Sequence, residues 1–97
     1  MKEIIFTTLF FGANLTLANS TPPTVANTCV GCHGLVGIST NPLWPNLAGQ
    51  KNDYLSKQLL AFKNGERKDP MMSPIAQSLS IEEIQQLSAY FSELKSQ

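Results

Sequence analysis

The pentapeptide at residues 29–33, Cys-Val-Gly-Cys-His, constrains this 97-residue chain more than any other feature. Two thiols separated by two residues and followed at once by an imidazole have the C-x-x-C-H spacing of covalent haem attachment. In that chemistry Cys29 and Cys32 add to the haem vinyl groups as thioethers, and His33 becomes the proximal ligand of the iron. The motif therefore predicts one covalently bound haem c.

Two other uses of paired cysteines fit the chain less well. A structural zinc site needs four ligands, whereas the chain contains two cysteines and one histidine. A thioredoxin-like redox pair lies at the start of a helix within a β-α-β unit, and no alternating strand pattern occurs in this sequence. Both cysteines belong to one motif, so no framework disulfide is expected.

Residues 1–20 have the features of a secretory signal peptide. An apolar run over residues 4–11 follows Lys2 and Glu3, and small or polar residues lead to Ser20. Cleavage after Ser20 leaves residues 21–97 as one small domain, and Ala18 is the other candidate cleavage site. An uncleaved anchor needs about 20 apolar residues to span a bilayer, and polar residues interrupt this stretch. We expect export to the periplasm and no membrane span after signal removal.

Charge is unevenly distributed, although the formal net charge is zero. Residues 21–50 contain no Asp, Glu, Lys or Arg. Residues 51–69 carry five basic and three acidic residues, whereas residues 80–97 carry one basic and three acidic residues. Nucleic-acid binding needs a strongly basic face, so a nucleic-acid partner is excluded.

Local patterns predict an all-α domain. Thr24 is expected to cap a first helix that runs to about Cys32, and Gly34 is expected to end it in a left-handed conformation. A second helix is predicted from residue 52 or 53 to about residue 63, closed by Asn64 and Gly65.

The last helix is predicted from a capping box, Ser80-x-x-Glu83. Its apolar residues recur at helical spacing and form one face: Ile81, Ile84, Leu87, Phe91 and Leu94. The glycines and prolines of residues 35–50 predict a loop. A second irregular stretch is predicted for residues 70–74, because two prolines there exclude a continuous helix and hold the backbone extended.

The sixth ligand of the iron must come from a residue other than His33, which is the only histidine, or be absent. A methionine thioether there raises the reduction potential and favours electron transfer. Met71 and Met72 are the only methionines after residue 20, and both remain candidates on this ground. The alternative role of a methionine is to fill the core.

At these motifs the chain resembles the class I, single-haem cytochromes c. Within that family it is similar to the small periplasmic bacterial members and to single domains of the two-domain cytochrome c-four. The resemblance covers residues 24–95. It rests on Cys29-x-x-Cys32-His33-Gly34, on Trp44-Pro45-Asn46-Leu47-Ala48-Gly49-Gln50, on Tyr54-Leu55-x-x-Gln58-Leu59-x-x-Phe62-Lys63-x-Gly65-x-Arg67, and on Met72 followed by Leu79-Ser80 and Ala89-Tyr90-Phe91.

The resemblance implies the class I cytochrome c fold for residues 21–97, with three to four short helices wrapped around one covalently bound haem. It implies His33 and a methionine as axial ligands, and it favours Met72, which lies seven residues before Leu79. It also implies that the Pro45 carbonyl accepts the other N–H of the histidine and that Leu47 packs on the porphyrin. Such a bond fixes the orientation and the basicity of the imidazole.

Three further side chains have two interpretations each. Trp44 and Tyr54 are aromatic residues whose polar tips can reach a haem propionate, or they pack against the haem edge or the last helix. Arg67 can pair with a propionate, or it is a solvated charge beside a helix.

The predicted function is that of an exported one-electron carrier, which cycles between Fe(III) and Fe(II), acts with redox partner proteins and is not an enzyme. One alternative is the haem subunit of a larger oxidoreductase, for example with a flavin dehydrogenase. Another is a peroxidase-like or gas-binding protein with an open sixth site, which would need a distal acid–base group.

Without haem, we expect the protein to be largely unfolded. A domain of this size buries little apolar surface by itself and usually needs a covalent or metal staple. Far-ultraviolet circular dichroism of the haem-free and haem-loaded proteins measures this directly. A cooperative unfolding transition in the haem-free protein would contradict the expectation.

Overall fold

Four α-helices and one 3₁₀ turn make up the part of the chain that the computed structural model describes, residues 21–97. The 3₁₀ turn spans Thr24–Ala26, and the helices are α1 (Asn27–His33), α2 (Asn52–Asn64), α3 (Met72–Gln77) and α4 (Ile81–Glu93). No strand occurs in these residues, which confirms the all-α prediction. The signal peptide predicted for residues 1–20 lies outside the described residues.

The core lies where α2 packs against α4 and the 3₁₀ turn contacts α4. Ile84, Leu87 and Phe91 of α4 are almost completely buried there, as their helical spacing predicts. Ile81 does not belong to this buried face, because it is the first residue of α4 and half of its surface is exposed. None of the helices in residues 21–97 has both the length and the hydropathy that crossing a bilayer requires.

The start of α1 differs from the sequence prediction. Its end lies at Gly34, as predicted, but the ψ of 147° at this glycine is extended and not that of the predicted left-handed helical conformation. Thr24 does not cap a helix; it begins the 3₁₀ turn, which follows the extended residue Pro23 and has no side-chain cap. Gly34 ends α1 with a φ of 94°. A Cβ atom at this position would lie 2.0 Å from the carbonyl oxygen of Ile38, so both the backbone angle and the space require glycine.

The predicted ends of α2 and α4 are present in the structure. Gly65 closes α2 in the left-handed conformation, with a φ of 82°. At the start of α4 the Glu83 N–H donates to Ser80 Oγ over 3.0 Å, and the Ser80 N–H donates to Glu83 Oε1 over 2.9 Å. These two bonds complete the capping box and fix the direction in which α4 leaves the preceding segment.

Lys63 connects the last turn of α2 to the segment between α3 and α4. Its Nζ donates to the carbonyl oxygen of Gln77 over 3.2 Å and to that of Leu79. These carbonyls lie at and just after the end of α3, where the helix has unpaired acceptors and a partial negative charge. One ammonium group therefore holds α2, α3 and the start of α4 together.

The prediction that residues 70–74 are extended is wrong. Met71 has helical dihedral angles, with φ −100° and ψ −45°, and α3 begins at Met72. Pro74 lies in the first turn of α3, where the backbone N–H groups have no partner within the helix. The proline therefore removes no helical hydrogen bond and is compatible with the helix.

Asp69 caps the turn that leads into α3. Its Oδ2 accepts the N–H of Met72 over 2.8 Å and that of Met71 over 2.9 Å. The Met72 N–H, then the Met71 N–H, and the nearby Arg67 guanidinium lower the pKa of this carboxyl below its usual range. Asp69 is therefore ionised at neutral pH, and its carboxylate orients the backbone of both methionines.

Replacement of Asp69 by alanine should expose the N–H groups of Met71 and Met72. We expect their amide hydrogens to exchange several-fold faster, because both lose their acceptor, while Asp69→Asn should have a smaller effect because its oxygen can still accept. Amide hydrogen exchange by NMR measures this. Asp53→Ala, in the first turn of α2, is the control, and unchanged protection of both methionine amides in Asp69→Ala would contradict the assigned cap.

Candidate haem-binding site

Cys29, Cys32 and His33 all lie in α1, and His33 is its last residue. Their spacing of three and four residues places them on one face of the helix, and all three line the same cavity. Both cysteines are half-buried and free of any disulfide, whereas His33 is buried, with 8% of its surface exposed. The short helix therefore presents two thiols and one imidazole to a single space.

The His33 ring is held by the loop that follows α1. Its Nδ1–H donates to the carbonyl oxygen of Pro45 over 2.7 Å. This bond places the proton on Nδ1 and leaves the lone pair of Nε2 available for a metal ion. Because Pro45 is 12 residues away in sequence, the imidazole depends on the correct folding of residues 34–50.

Backbone hydrogen bonds fix that loop. The Gly37 carbonyl oxygen accepts the N–H of Leu47 over 2.8 Å and that of Ala48 over 3.0 Å. The Ser39 N–H donates to Asn46 Oδ1 over 2.7 Å. These contacts join the two ends of the loop on either side of Pro45 and hold its carbonyl where the imidazole needs it.

The cavity beside α1 has a volume of about 540 Å³, within the usual range for small-molecule and cofactor sites. Its walls come from α1, the loop, α2, α3 with the segment before it, and α4. Most of the lining is apolar and includes Leu47, Leu55, Leu59, Phe62, Ile75, Leu87 and Phe91. A planar apolar ligand can thus be enclosed between α2, α4 and the loop while the α1 cysteines hold one edge.

Both methionines line this cavity. About half of the Met71 side chain is exposed, whereas Met72 is partly buried. Because Asp69 binds both backbone N–H groups, the two residues sit in a fixed turn at the start of α3. The structure therefore brings a thioether into the same cavity as the thiols and the imidazole.

The three residues with two interpretations also line the cavity. Trp44 is half-buried beside Pro45, and Tyr54 has 48% of its surface exposed. The Arg67 guanidinium lies over the Phe62 ring, 4.6 Å from its centroid, and an NH group donates to Gln58 Oε1 over 2.7 Å. Arg67 is thus held by neighbouring side chains at the cavity rim, although it remains exposed.

The electrostatics of the cavity favour neutral groups near α1. Burial, and then the neighbouring Cys32, raises the pKa of the Cys29 thiol from 9.0 to about 11. The Cys29 thiol is therefore protonated at neutral pH, and it adds no charge to a largely apolar space. Within residues 21–97 no cluster of three or more His, Cys, Asp or Glu side chains that could hold a metal ion is present.

The donor set fits a covalently held haem. Two thiols can form the two thioether bonds, one imidazole has a free Nε2, and a thioether is available for the iron. The rest of the lining is apolar, as the porphyrin requires. All candidates named from the sequence line this one cavity: Cys29, Cys32, His33, Trp44, Pro45, Leu47, Met71, Met72, Tyr54 and Arg67.

Three residues of the site were not identified from the sequence. Asp69 acts through a cap that leaves no distinctive sequence pattern. Gln58 belongs to the motif that carries the family resemblance, but the sequence does not predict its contact with Arg67. Ser88 is completely buried in the cavity wall. The sequence does predict burial at this position, because Ser88 lies four residues after Ile84 and three before Phe91 and thus on the apolar face of α4.

Comparison with known proteins gives a consistent result. The family model described as Cytochrome c matches residues 23–95. Cytochrome c-554(548) of Halomonas halodenitrificans is 44% identical over 68 residues, which cover 67% of this chain and 82% of that protein.

Two solved structures are also similar to this chain. The reduced recombinant cytochrome c4 from Pseudomonas stutzeri is 40% identical, with a TM-score of 0.64 over 69% of this chain and 38% of that chain. The thiosulfate dehydrogenase from Marichromatium purpuratum is 38% identical, with a TM-score of 0.65 over 69% of this chain and 14% of that chain. The matched part of the chain therefore covers less than half of the length of each of these proteins.

The structural neighbours share the class I cytochrome c fold, and the family binds a covalently attached haem c through cysteines of the type found at positions 29 and 32. Members of the family are electron-transfer proteins. With its C-x-x-C-H motif, its helical fold and the match over residues 23–95, the chain belongs to the cytochrome c family.

Proposed function

We propose that this protein is an exported one-electron carrier of the periplasm with His33 and Met72 as axial ligands of its haem. One observation carries the proposal: Cys29, Cys32, His33 and Met72 line a single cavity that is otherwise mostly apolar. When bound, haem c supplies a reversible couple between Fe(III) and Fe(II). The remaining side chains of the cavity exclude water and hold the ligands.

The imidazole is prepared for ligation by the chain itself. Because its Nδ1–H donates to Pro45, the ring has one tautomer and one orientation before any change of oxidation state. A ligand that does not move lowers the structural reorganisation that accompanies electron transfer, which suits a carrier. Leu47, two residues after Pro45, lines the cavity and is proposed to pack on the porphyrin.

Met72 is proposed as the sixth ligand in preference to Met71. Met72 is the more buried of the two and is the first residue of α3, so its position is tied to the helix. Met71, half-exposed, is proposed to lie at the cavity rim. A methionine ligand stabilises Fe(II) and raises the reduction potential, whereas an open site suits ligand binding.

Replacement of Met72 by alanine should remove the iron–sulfur bond. We expect the long-wavelength iron–sulfur absorption band of the oxidised protein to disappear in Met72→Ala and to persist in the matched variant Met71→Ala. Visible spectra of periplasmically expressed oxidised and reduced proteins measure this. Loss of the band in Met71→Ala alone would assign the ligand to Met71, and a high-spin spectrum of the wild type would indicate an open sixth site.

Export is proposed from the features of residues 1–20, with cleavage after Ser20 or Ala18. Assembly of haem on C-x-x-C-H in bacteria takes place outside the cytoplasm, so a signal peptide agrees with the motif. The proposed partners are an electron donor protein and an electron acceptor protein.

A second candidate function is that of the haem component of a larger oxidoreductase. The similarity to part of a thiosulfate dehydrogenase favours it, as does the exposure of two adjacent apolar side chains, Leu35 and Val36, at 77% and 59%. Exposed apolar residues of this kind suit a protein interface.

For a free carrier, we expect the protein purified from its native periplasm to elute at the mass of one chain with one haem. Size-exclusion chromatography with light scattering measures the mass, and the ultraviolet–visible spectrum reveals any flavin. A stoichiometric complex with a second subunit would instead favour the oxidoreductase component.

A further inference from the structure

Ser88 is the buried side chain whose chemistry the proposed function does not use. It lies in α4 between Leu87 and Phe91, is fully inaccessible to solvent, and forms part of the cavity wall. Within residues 21–97, its Oγ is the only buried side-chain nitrogen or oxygen without a hydrogen-bond partner. A buried hydroxyl without a partner is uncommon in folded proteins and calls for an explanation.

A second serine in the same helix shows that the backbone of α4 can accept a hydrogen bond from a serine hydroxyl. The Ser92 Oγ–H donates to the carbonyl oxygen of Ala89 over 2.8 Å, one turn after Ser88. The Ser88 hydroxyl makes no corresponding bond. Alanine at this position would favour the helix more and would bury no polar atom. The hydroxyl therefore costs stability, and stability alone does not account for it.

We propose that the unpartnered hydroxyl of Ser88 lowers the reduction potential of the bound haem by stabilising its oxidised form. This inference rests on the proposed function, since it assumes a haem that gains and loses one electron. Oxidation adds one positive charge to the cofactor. A hydroxyl without a fixed partner can rotate to turn its oxygen towards that charge. The reduced cofactor carries one positive charge less, so it attracts the hydroxyl dipole less strongly.

The surroundings of Ser88 make such a dipole effective. It lies among apolar side chains of the core, where a dipole is less screened than in water. Among the charged groups that line the cavity, Arg67 is exposed and Asp69 is partly exposed, so solvent and salt weaken their effect on the cofactor. Serine does not ionise in the neutral range, so its contribution should not vary with pH.

The test compares four variants of the haem-loaded protein. Ser88→Ala removes the hydroxyl, and Ser92→Ala is the matched control in the same helix. Ser88→Thr and Ser88→Val add nearly the same volume but differ in the hydroxyl, so this pair separates polarity from packing. Spectroelectrochemical titration gives the reduction potential of each variant, and thermal unfolding of both oxidation states gives the stability.

We expect a positive shift of the potential in Ser88→Ala, no shift in Ser92→Ala, and a more positive potential in Ser88→Val than in Ser88→Thr. The melting temperature of Ser88→Ala should rise by a few degrees, since the unsatisfied group is lost. The rise should be larger for the reduced protein, because the hydroxyl stabilises the oxidised one.

Three results would overturn the inference: an unchanged or lower potential in Ser88→Ala, equal potentials in Ser88→Thr and Ser88→Val, or a lower melting temperature of reduced Ser88→Ala. The last would show that the hydroxyl has a partner in the loaded protein. Failure of the proposed function is distinguishable, because the wild type would then lack a reversible one-electron titration with a low-spin spectrum. The inference about Ser88 would fall with it.

Discussion

The hydrogen bond from His33 to the Pro45 carbonyl is the interaction on which the site depends. It joins the end of α1 to a loop 12 residues further along the chain, and it decides which imidazole nitrogen can bind a metal ion. Neither His33 nor Pro45 alone determines which nitrogen is free. The helix supplies the imidazole, and the loop supplies its tautomer and orientation, so the folding of the loop and the preparation of the ligand are the same event.

The far side of the cavity is organised by two charged side chains that do not belong to its apolar lining. Asp69 anchors the backbone of Met71 and Met72 through their N–H groups, and Lys63 binds carbonyl groups at the other end of the short α3 helix. A helix of six residues has little stability of its own. A carboxylate before its start and an ammonium at its end compensate for this and oppose the helix dipole at both ends.

The sequence predicts the helices that end in strong local signals and ten of the residues that line the cavity. Gly65 and the Ser80–Glu83 capping box mark their helix ends because each signal acts within a few residues. The start of α3 was missed because Pro74 was interpreted as a helix breaker, although a first turn accepts proline. Asp69 was missed because a single acidic residue before two methionines has no distinctive pattern, and its role depends on the path of the backbone.

Gly34 ends α1, and its Cα lies so close to the backbone of Ile38 that a methyl side chain at position 34 would have no room. This close approach turns the chain sharply enough for the following loop to return to the helix and reach the imidazole. The shortest segment that contains the complete histidine arrangement is therefore longer than the five-residue motif. A protein engineer who wishes to transplant this haem-binding site onto another helical scaffold must move residues 29–48 as one piece, including the glycine turn and the returning loop.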